Sequence, residues 1–242
     1  MSLRSFRSAV GFLTIVPVAA AGADSGERLG RAYFPLVGAI VGLVAGCVFI
    51  LVSALTSPFI AAVASVATIA VLTGGLHLDG LADSADGLFG GDTRDRRLEI
   101  MRDPRIGSFG AIALTLVLLG DVAALSAMTP ARALAGLIAG GALSRFGMLA
   151  VVAALPHARE DGLGTAAAGG HRVLDLVVGG LVTVIACALD FRRSLVAALL
   201  VAVVTVLVAG LAMRRVGGAT GDVYGACAEM GQLAALVAFA AP

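Results

Sequence analysis

The sequence predicts an all-α fold, a polytopic membrane helix bundle with about seven transmembrane helices and a short N-terminal interfacial or re-entrant helix. The chain has 242 residues, of which 59% are hydrophobic and 14% charged, whereas a soluble domain carries about 25% charged residues. Residues 32–76 contain no charged side chain, and this run is long enough for two passes of ~20 residues each. The apolar blocks also lack the alternation of half-buried strands. These observations indicate a single integral membrane domain over residues 1–242.

The N-terminal segment combines Arg4 and Arg7 with an apolar run that Pro17 interrupts. This pattern predicts a short helix that lies at the membrane interface or dips into it. The alternative is a cleaved secretory signal, because the alanine-rich residues 19–23 resemble a signal-peptidase site.

The remaining apolar blocks predict transmembrane helices. A corner at residues 56–58 divides the charge-free run, and we expect the second helix to continue past residue 76 into the polar motif that follows. Glycine occurs 32 times, with several copies in residues 135–142, and small residues let helices approach closely in lipid. The predicted spans are 33–55, 58–76, 108–128, 133–155, 173–189, 194–213 and 223–241.

Arginine predicts the orientation, since cytoplasmic loops carry the excess of basic residues. With the N-terminus in the cytoplasm, most arginines fall on the cytoplasmic side, together with the polar motif, the loop after it, the loop 157–172 and the turn 217–222. The net charge is only +1, and no arginine stripe interleaves with aromatic residues, so nucleic acid is not an expected partner. The lipid bilayer is the expected partner.

The polar motif HLDGLADSADGL, residues 77–88, predicts chemistry. On a helix, Asp79, Asp83 and Asp86 lie on one face, at i, i+4 and i+7. Three like charges near a membrane are costly unless they are neutralised, and hard carboxylate oxygens suit Mg²⁺, with Mn²⁺ as the alternative ion. His77 lies beside this face and could act as a general base. The alternatives are a solvated helix end and a cation- or proton-coupling site of a transporter.

An arginine-rich loop follows in TRDRRLEIMRDPRIGSFG, residues 93–110. Its arginines could be a solvated, positive-inside loop, but beside a carboxylate-bound metal they are the usual means of holding a diphosphate. Here Arg97, Arg102 and Arg105 are the candidates, with Asp103 between them. Acid face and arginine loop together favour metal-assisted phosphoryl chemistry.

A third polar element is GGATGDVYGA, residues 217–226, at the start of the last span. Glycines around Thr220 and Asp222 could let backbone N–H groups approach a phosphate. Asp222 could equally be an ordinary favourable charge at a helix N-terminus.

These segments resemble those of the cobalamin synthase, or adenosylcobinamide-GDP ribazoletransferase, family. The resemblance rests on HLDGLADSADGL, RRLEIMRDPRIGSFG and GGATGDVYGA in this order, with FLTIVPV at residues 12–18, and it covers essentially the whole chain. The acid motif is also partly similar to that of CDP-alcohol phosphotransferases through Asp79-Gly80. However, Asp83 stands where the alanine-arginine pair of their motif would place its arginine, which weakens the second match.

The resemblance to cobalamin synthases implies an Mg²⁺-dependent transferase of the cell inner membrane, with its active site facing the cytoplasm. Such an enzyme joins adenosylcobinamide-GDP to α-ribazole, or to its 5′-phosphate, and releases GMP. The resemblance is also compatible with a homo-oligomer or with association with other enzymes of cobalamin assembly. The implied roles are metal binding by Asp79, Asp83 and Asp86, proton acceptance by His77 or an aspartate such as Asp79, diphosphate or GMP binding by Arg97, Arg102 and Arg105 with Asp103 orienting them, and completion of the nucleotide or metal site by Thr220 and Asp222.

Overall fold

The computed structural model describes residues 2–18, 30–159 and 172–242. The alanine-rich stretch 19–23 and most of the loop 157–172 therefore lie outside the described residues. The described residues are almost entirely helical, as the sequence predicts. The α-helices are α1 (Leu3–Leu13), α2 (Phe34–Ser53), α3 (Pro58–Thr73), α4 (Leu76–Gly90), α5 (Arg94–Ile100), α6 (Ser108–Ser126), α7 (Pro130–Ala154), α8 (Arg172–Ala186), α9 (Phe191–Val216) and α10 (Gly221–Ala240), and short 3₁₀ turns cover Arg31–Tyr33 and Cys187–Asp190.

The long helices are apolar enough to cross a membrane. By length and composition, five stretches of the described residues qualify, or six if the bent pair α3 and α4 forms one span. One of these stretches, Val173–Val216, contains both α8 and α9. A polytopic membrane bundle is thus confirmed, whereas the number of seven spans stays a prediction.

The stretch that contains α8 and α9 reverses direction at its 3₁₀ turn. A Cβ on Gly179 of α8 would lie 2.9 Å from the Leu149 side chain, and Gly147 of α7 lies against Thr205 of α9. In a straight helix, positions 179 and 205 would be about 39 Å apart, yet both lie beside the same turn of α7. The chain therefore reverses direction between α8 and α9, which favours two separate passes.

Helices α7 and α10 form the centre of the bundle, and most of each lies inside the protein. Helix α7 packs against α2 through glycines on both sides. A Cβ on Gly38 would collide with the carbonyl of Gly141, and one on Gly42 would collide with the carbonyl of Leu137. Close backbone approach, which the glycines of residues 135–142 predict, holds these helices together.

The second predicted span is wrong in one respect, because the helix breaks before the polar motif. Gly74 and Gly75 both have positive φ, of 61° and 71°, a backbone conformation that only glycine adopts readily. They end α3 and start α4, which is bent from α3 by 89°. Residues 58–76 do not continue straight into the acidic segment.

The N-terminal helix α1 is present, as predicted, and packs against the 3₁₀ turn at Arg31–Tyr33 and against α2. Arg4 and Arg7 are exposed, whereas Ala9 and Leu13 are buried. After α1, the backbone N–H of Ile15 donates to the carbonyl of Leu72 at 2.9 Å. The segment is therefore tied to the end of α3, next to the helix break.

Candidate active site

The predicted acid face exists on α4, but its three carboxylates have different surroundings. Asp79 is exposed, Asp83 is half-buried and Asp86 is buried. Gly80 and Gly87 on the same helix allow neighbours to approach closely: α10 contacts Gly80, and Met101 contacts Gly87. Because Asp79 is exposed and Asp86 is buried, the acid face is open at its N-terminal end and enclosed at its C-terminal end.

Asp86 anchors the start of α6. Its Oδ2 accepts a hydrogen bond of 2.7 Å from the Gly107 backbone N–H, and its Oδ1 accepts one of 2.9 Å from the N–H of Gly110. These are free donors at a helix N-terminus, where a carboxylate is favourable. A Cβ on either glycine would collide with the Asp86 carboxyl group. The acidic motif and the PRIGSFG segment are thus one structural unit.

The N-terminus of α10 lies against α4. A Cβ on Gly80 would lie 2.9 Å from the Asp222 carbonyl oxygen and 3.3 Å from the Gly225 Cα. Thr220 is fully buried and caps α10, because its hydroxyl accepts from the Val223 N–H at 3.3 Å and lies 3.1 Å from Asp222 Oδ2. The structure therefore brings Asp222, through this capping geometry, to the side of α4 that carries the acids.

The segment after α7 adds a residue that the sequence did not single out. The Ala158 N–H donates to the Ala219 carbonyl, and the Ala219 N–H donates to the Pro156 carbonyl, both at 2.9 Å. This pairing carries Arg159 to Asp222, with 3.1 Å between Nη1 and Oδ2. The only sequence signal was that the loop 157–172 and the turn 217–222 were predicted on one membrane face.

The acids of α4 and α10 share one electrostatic environment. Asp83 interacts with the charges of Asp79, Asp222 and Asp86, and with the opposite charge of Arg159. A group of carboxylates with a single guanidinium has excess negative charge, and carboxylate oxygens are the donor type that a divalent cation such as Mg²⁺ prefers. However, no three His, Cys, Asp or Glu side chains of the described residues converge closely enough to hold a metal ion. Metal binding by Asp79, Asp83 and Asp86 stays a prediction.

The predicted arginine candidates do not form one cluster. Arg97 lies on α5, packs against Gly91 and points its Nη1 to the Arg215 carbonyl at 3.5 Å. Arg102 is exposed. Arg105 forms an ion pair with Asp103, in which Nη2 lies 2.8 Å from Oδ2.

The Asp103–Arg105 pair borders a cavity of about 370 Å³ that also reaches Asp86, Gly107 and Ser108. The side-chain and backbone hydrogen bonds from Arg105 lower the pKa of Asp103 to about 2. The pair therefore stays charged at any ordinary assay pH, beside the anchored start of α6.

The two histidines of the described residues lie in contrasting places. His77 is 2% exposed, its Nδ1 has no hydrogen-bond partner among the described residues, and the charge of the buried Arg145 acts on it. His157 is partly exposed and its ring lies 6.3 Å from that of Tyr224. Burial and the charge of Arg159 lower the pKa of His157. The sequence analysis named His77 as the candidate base, whereas it is His157 that interacts with the charge of Asp222.

The fold and the site define a polytopic helical membrane protein with a carboxylate- and arginine-bearing site where α4, α10 and the 156–159 segment meet. Residues 5–240 match the family model described as cobalamin-5-phosphate synthase, and the chain belongs to this family. The match covers all three polar motifs from which the resemblance was drawn.

Individual relatives agree with the family model. A protein of Bradyrhizobium diazoefficiens, named adenosylcobinamide-GDP ribazoletransferase, is 38% identical over 99% of this chain and 94% of its own length. Proteins of the same name from Escherichia coli strain E2348/69 and Shigella boydii serotype 18 are 40% identical over 85% of this chain and 85% of theirs. No solved structure matches the chain.

Proposed function

We propose that this protein is an adenosylcobinamide-GDP ribazoletransferase, which makes adenosylcobalamin, or its 5′-phosphate, late in cobalamin biosynthesis. The observation that carries the proposal is the Arg159–Asp222 ion pair within electrostatic reach of Asp83 on the acid face, in a chain of the cobalamin-5-phosphate synthase family. Carboxylates beside arginine are the chemistry that a transfer between phosphate esters needs. Family membership also favours this function over a CDP-alcohol phosphotransferase or an ion-coupled transporter.

In the proposed reaction, a ribose hydroxyl oxygen of α-ribazole attacks the phosphorus nearer the cobinamide. The bond from this phosphorus to the oxygen that bridges the diphosphate breaks, and GMP leaves with that oxygen. The hydroxyl proton passes to a base of the protein. Asp79 suits this task better than His77, because Asp79 is exposed on the acid face, whereas His77 is buried inside the bundle.

The carboxylates of Asp79, Asp83 and Asp222 would hold Mg²⁺, or Mn²⁺, which would neutralise charge on the diphosphate when bound. Asp86 contributes by fixing the α4–α6 unit through Gly107 and Gly110. It keeps the 370 Å³ cavity beside Arg105 in position relative to the acid face.

The arginines of residues 93–110 have different roles in this proposal. Arg105, which Asp103 orients through two side-chain hydrogen bonds, is placed to bind a phosphate or GMP at the cavity. Exposed Arg102 is available to the same ligand, and Arg97 supports α5 against the end of α9. Thr220 holds Asp222 in place. The proposal places the protein in the cell inner membrane, with this site facing the cytoplasm, because arginine is concentrated on that side.

The test is an assay of detergent-purified protein with adenosylcobinamide-GDP and α-ribazole. Formation of adenosylcobalamin and GMP in equal amounts, dependent on Mg²⁺ and abolished by a chelator, is the expected result. Asp83→Ala should abolish turnover, while Asp95→Ala, an exposed carboxylate on α5 whose partner is Arg94, serves as the matched control. No product with wild-type protein would refute the function, and near-normal turnover of Asp83→Ala would refute the metal site.

A further inference from the structure

Arg159 has an unused hydrogen-bonding edge inside the candidate site. Its Nη1 pairs with Asp222 at 3.1 Å, and its side chain is 12% exposed. Its Nε and Nη2 atoms are buried and have no hydrogen-bond partner among the residues that the structure describes. These two atoms form the side edge of the guanidinium group, whose parallel N–H bonds match two oxygens of one phosphate.

Other arginines with contacts near the site differ from Arg159. Arg94 uses the same two atoms, but both are satisfied: Nε donates to the Val216 carbonyl at 3.0 Å and Nη2 to the Ala158 carbonyl at 2.9 Å. Arg94 thus joins the end of α9 to the 156–159 segment. Because buried donors are normally satisfied, an unsatisfied pair on Arg159 beside the acid face indicates a missing acceptor.

The position of Arg159 defines the kind of acceptor. One end of its guanidinium group pairs with the Asp222 carboxylate, which belongs to the same acidic group as Asp79 and Asp83. An anion that binds the free edge of Arg159 in a site of acidic residues needs several oxygens, so that some accept from the guanidinium group while others bind a cation that offsets the carboxylates. A diphosphate has this chemistry, whereas a single hydroxyl group does not.

We propose that the Nε and Nη2 edge of Arg159 binds a phosphate of the nucleotide diphosphate. This inference rests on the proposed function and deepens it, because it assigns a diphosphate-binding residue that the three sequence motifs do not include. Arg159 then joins the turn at Asp222 to the substrate, so that the 156–159 segment takes part in nucleotide binding. Asp222 holds the guanidinium group in the correct orientation.

The test is a titration of purified protein with GDP in the presence of Mg²⁺, by calorimetry. Arg159→Lys keeps the positive charge but loses the two-atom edge, and it should weaken GDP binding by about 10-fold to 100-fold, as expected for loss of a bidentate, charge-assisted contact. Mn²⁺ binding, followed by electron paramagnetic resonance, should change less than GDP binding, because the lysine keeps a positive charge beside Asp222. Arg159→Gln provides a second variant if the lysine variant unfolds.

Arg193→Lys is the matched control. Arg193 also pairs its Nη1 with an aspartate, Asp190, at 3.0 Å and also has an unpartnered Nε, but it lies at the α8–α9 turn. GDP binding should be unchanged in this variant. Equal GDP affinity of Arg159→Lys, Arg159→Gln and wild type would overturn the inference while leaving the transferase function intact.

Two further outcomes also test whether Arg159 binds the nucleotide diphosphate. If wild-type protein with demonstrated transferase activity fails to bind GDP, the inference is overturned. An anionic lipid headgroup also offers phosphate oxygens, so the titration is repeated with phosphatidylglycerol in the micelles. Unchanged GDP affinity supports a nucleotide site, whereas competition by the lipid that disappears in Arg159→Lys overturns it in favour of a headgroup site.

Discussion

Replacement of Asp86 by asparagine separates an anchoring role from metal binding. The Asp86 carboxylate accepts two backbone hydrogen bonds, of 2.7 Å from Gly107 and 2.9 Å from Gly110. A hydrogen bond to a charged group contributes about 1.5–3 kcal/mol, and a carboxylate at a helix N-terminus adds about 0.3–1 kcal/mol. Asparagine has one acceptor oxygen, so the variant loses one of the two bonds and the charge. The expected loss of folding free energy is about 2–4 kcal/mol.

The assay is a thermal melt of the purified protein in detergent, together with Mn²⁺ binding at a temperature where the variant is folded. We expect Asp86→Asn to melt at a clearly lower temperature and to keep most of its Mn²⁺ affinity. Asp83→Asn is the comparison, because Asp83 lies on the same helix face and has no hydrogen bond to α6. It should melt close to wild type and lose Mn²⁺ affinity. An unchanged melting temperature of Asp86→Asn together with lost Mn²⁺ binding would refute the anchoring role.

Three more substitutions test the packing and the charges around the site. Gly80→Ala should lower turnover more than tenfold at near-normal substrate affinity, because its Cβ would lie 2.9 Å from the α10 backbone. A displacement of about 1 Å at an active site is enough to lower the rate by this much. Unchanged turnover would show that the contact is not critical. Arg31→Ala should cost about 3 kcal/mol of stability, since it leaves Asp175 without its 2.9 Å partner in a largely buried ion pair, and Asp175→Asn in the same background should recover part of this loss in a thermal melt. Asp103→Asn should change stability by less than about 0.5 kcal/mol, because the carboxyl pairs with the exposed Arg105, but it should weaken GDP binding. The pKa of Asp103 is lowered to about 2. Its ion pair is therefore fully present above the ordinary aspartate pKa and is lost only as the pH falls towards the lowered pKa. The loss of GDP affinity in Asp103→Asn should consequently be constant between about pH 5 and about pH 8.

The sequence was sufficient for the fold class because hydrophobic length is a local property. The corner at residues 56–58 is found where the sequence predicted it, with Ser57 capping α3 and Pro58 at its start. The break at Gly74 and Gly75 was missed, since a glycine pair in an apolar run is compatible with a helix as well as with a turn. Only packing against neighbouring segments, such as Ile15 beside Gly74, decides between the two.

The site was predictable where its residues share one helix and not where they meet through tertiary contacts. The spacing of Asp79 and Asp83 follows from helix geometry alone. The pairing of Arg159 with Asp222 depends on the backbone bridge between residues 156–158 and 219, for which no sequence pattern exists. Likewise, the spacing of Asp86 gave no sign that its carboxyl group bonds to the start of α6.

The break at Gly74 and Gly75 also determines how the acidic side chains are distributed. Seven residues of helix cover about 10 Å, so a straight continuation of α3 would have spread Asp79, Asp83 and Asp86 over this distance along the α3 axis. Because α4 turns by 89°, the same three side chains lie at nearly one level along that axis. A long, charged ligand can therefore reach the exposed Asp79 and the half-buried Asp83 while lying sideways to α3, without threading its length between the helices.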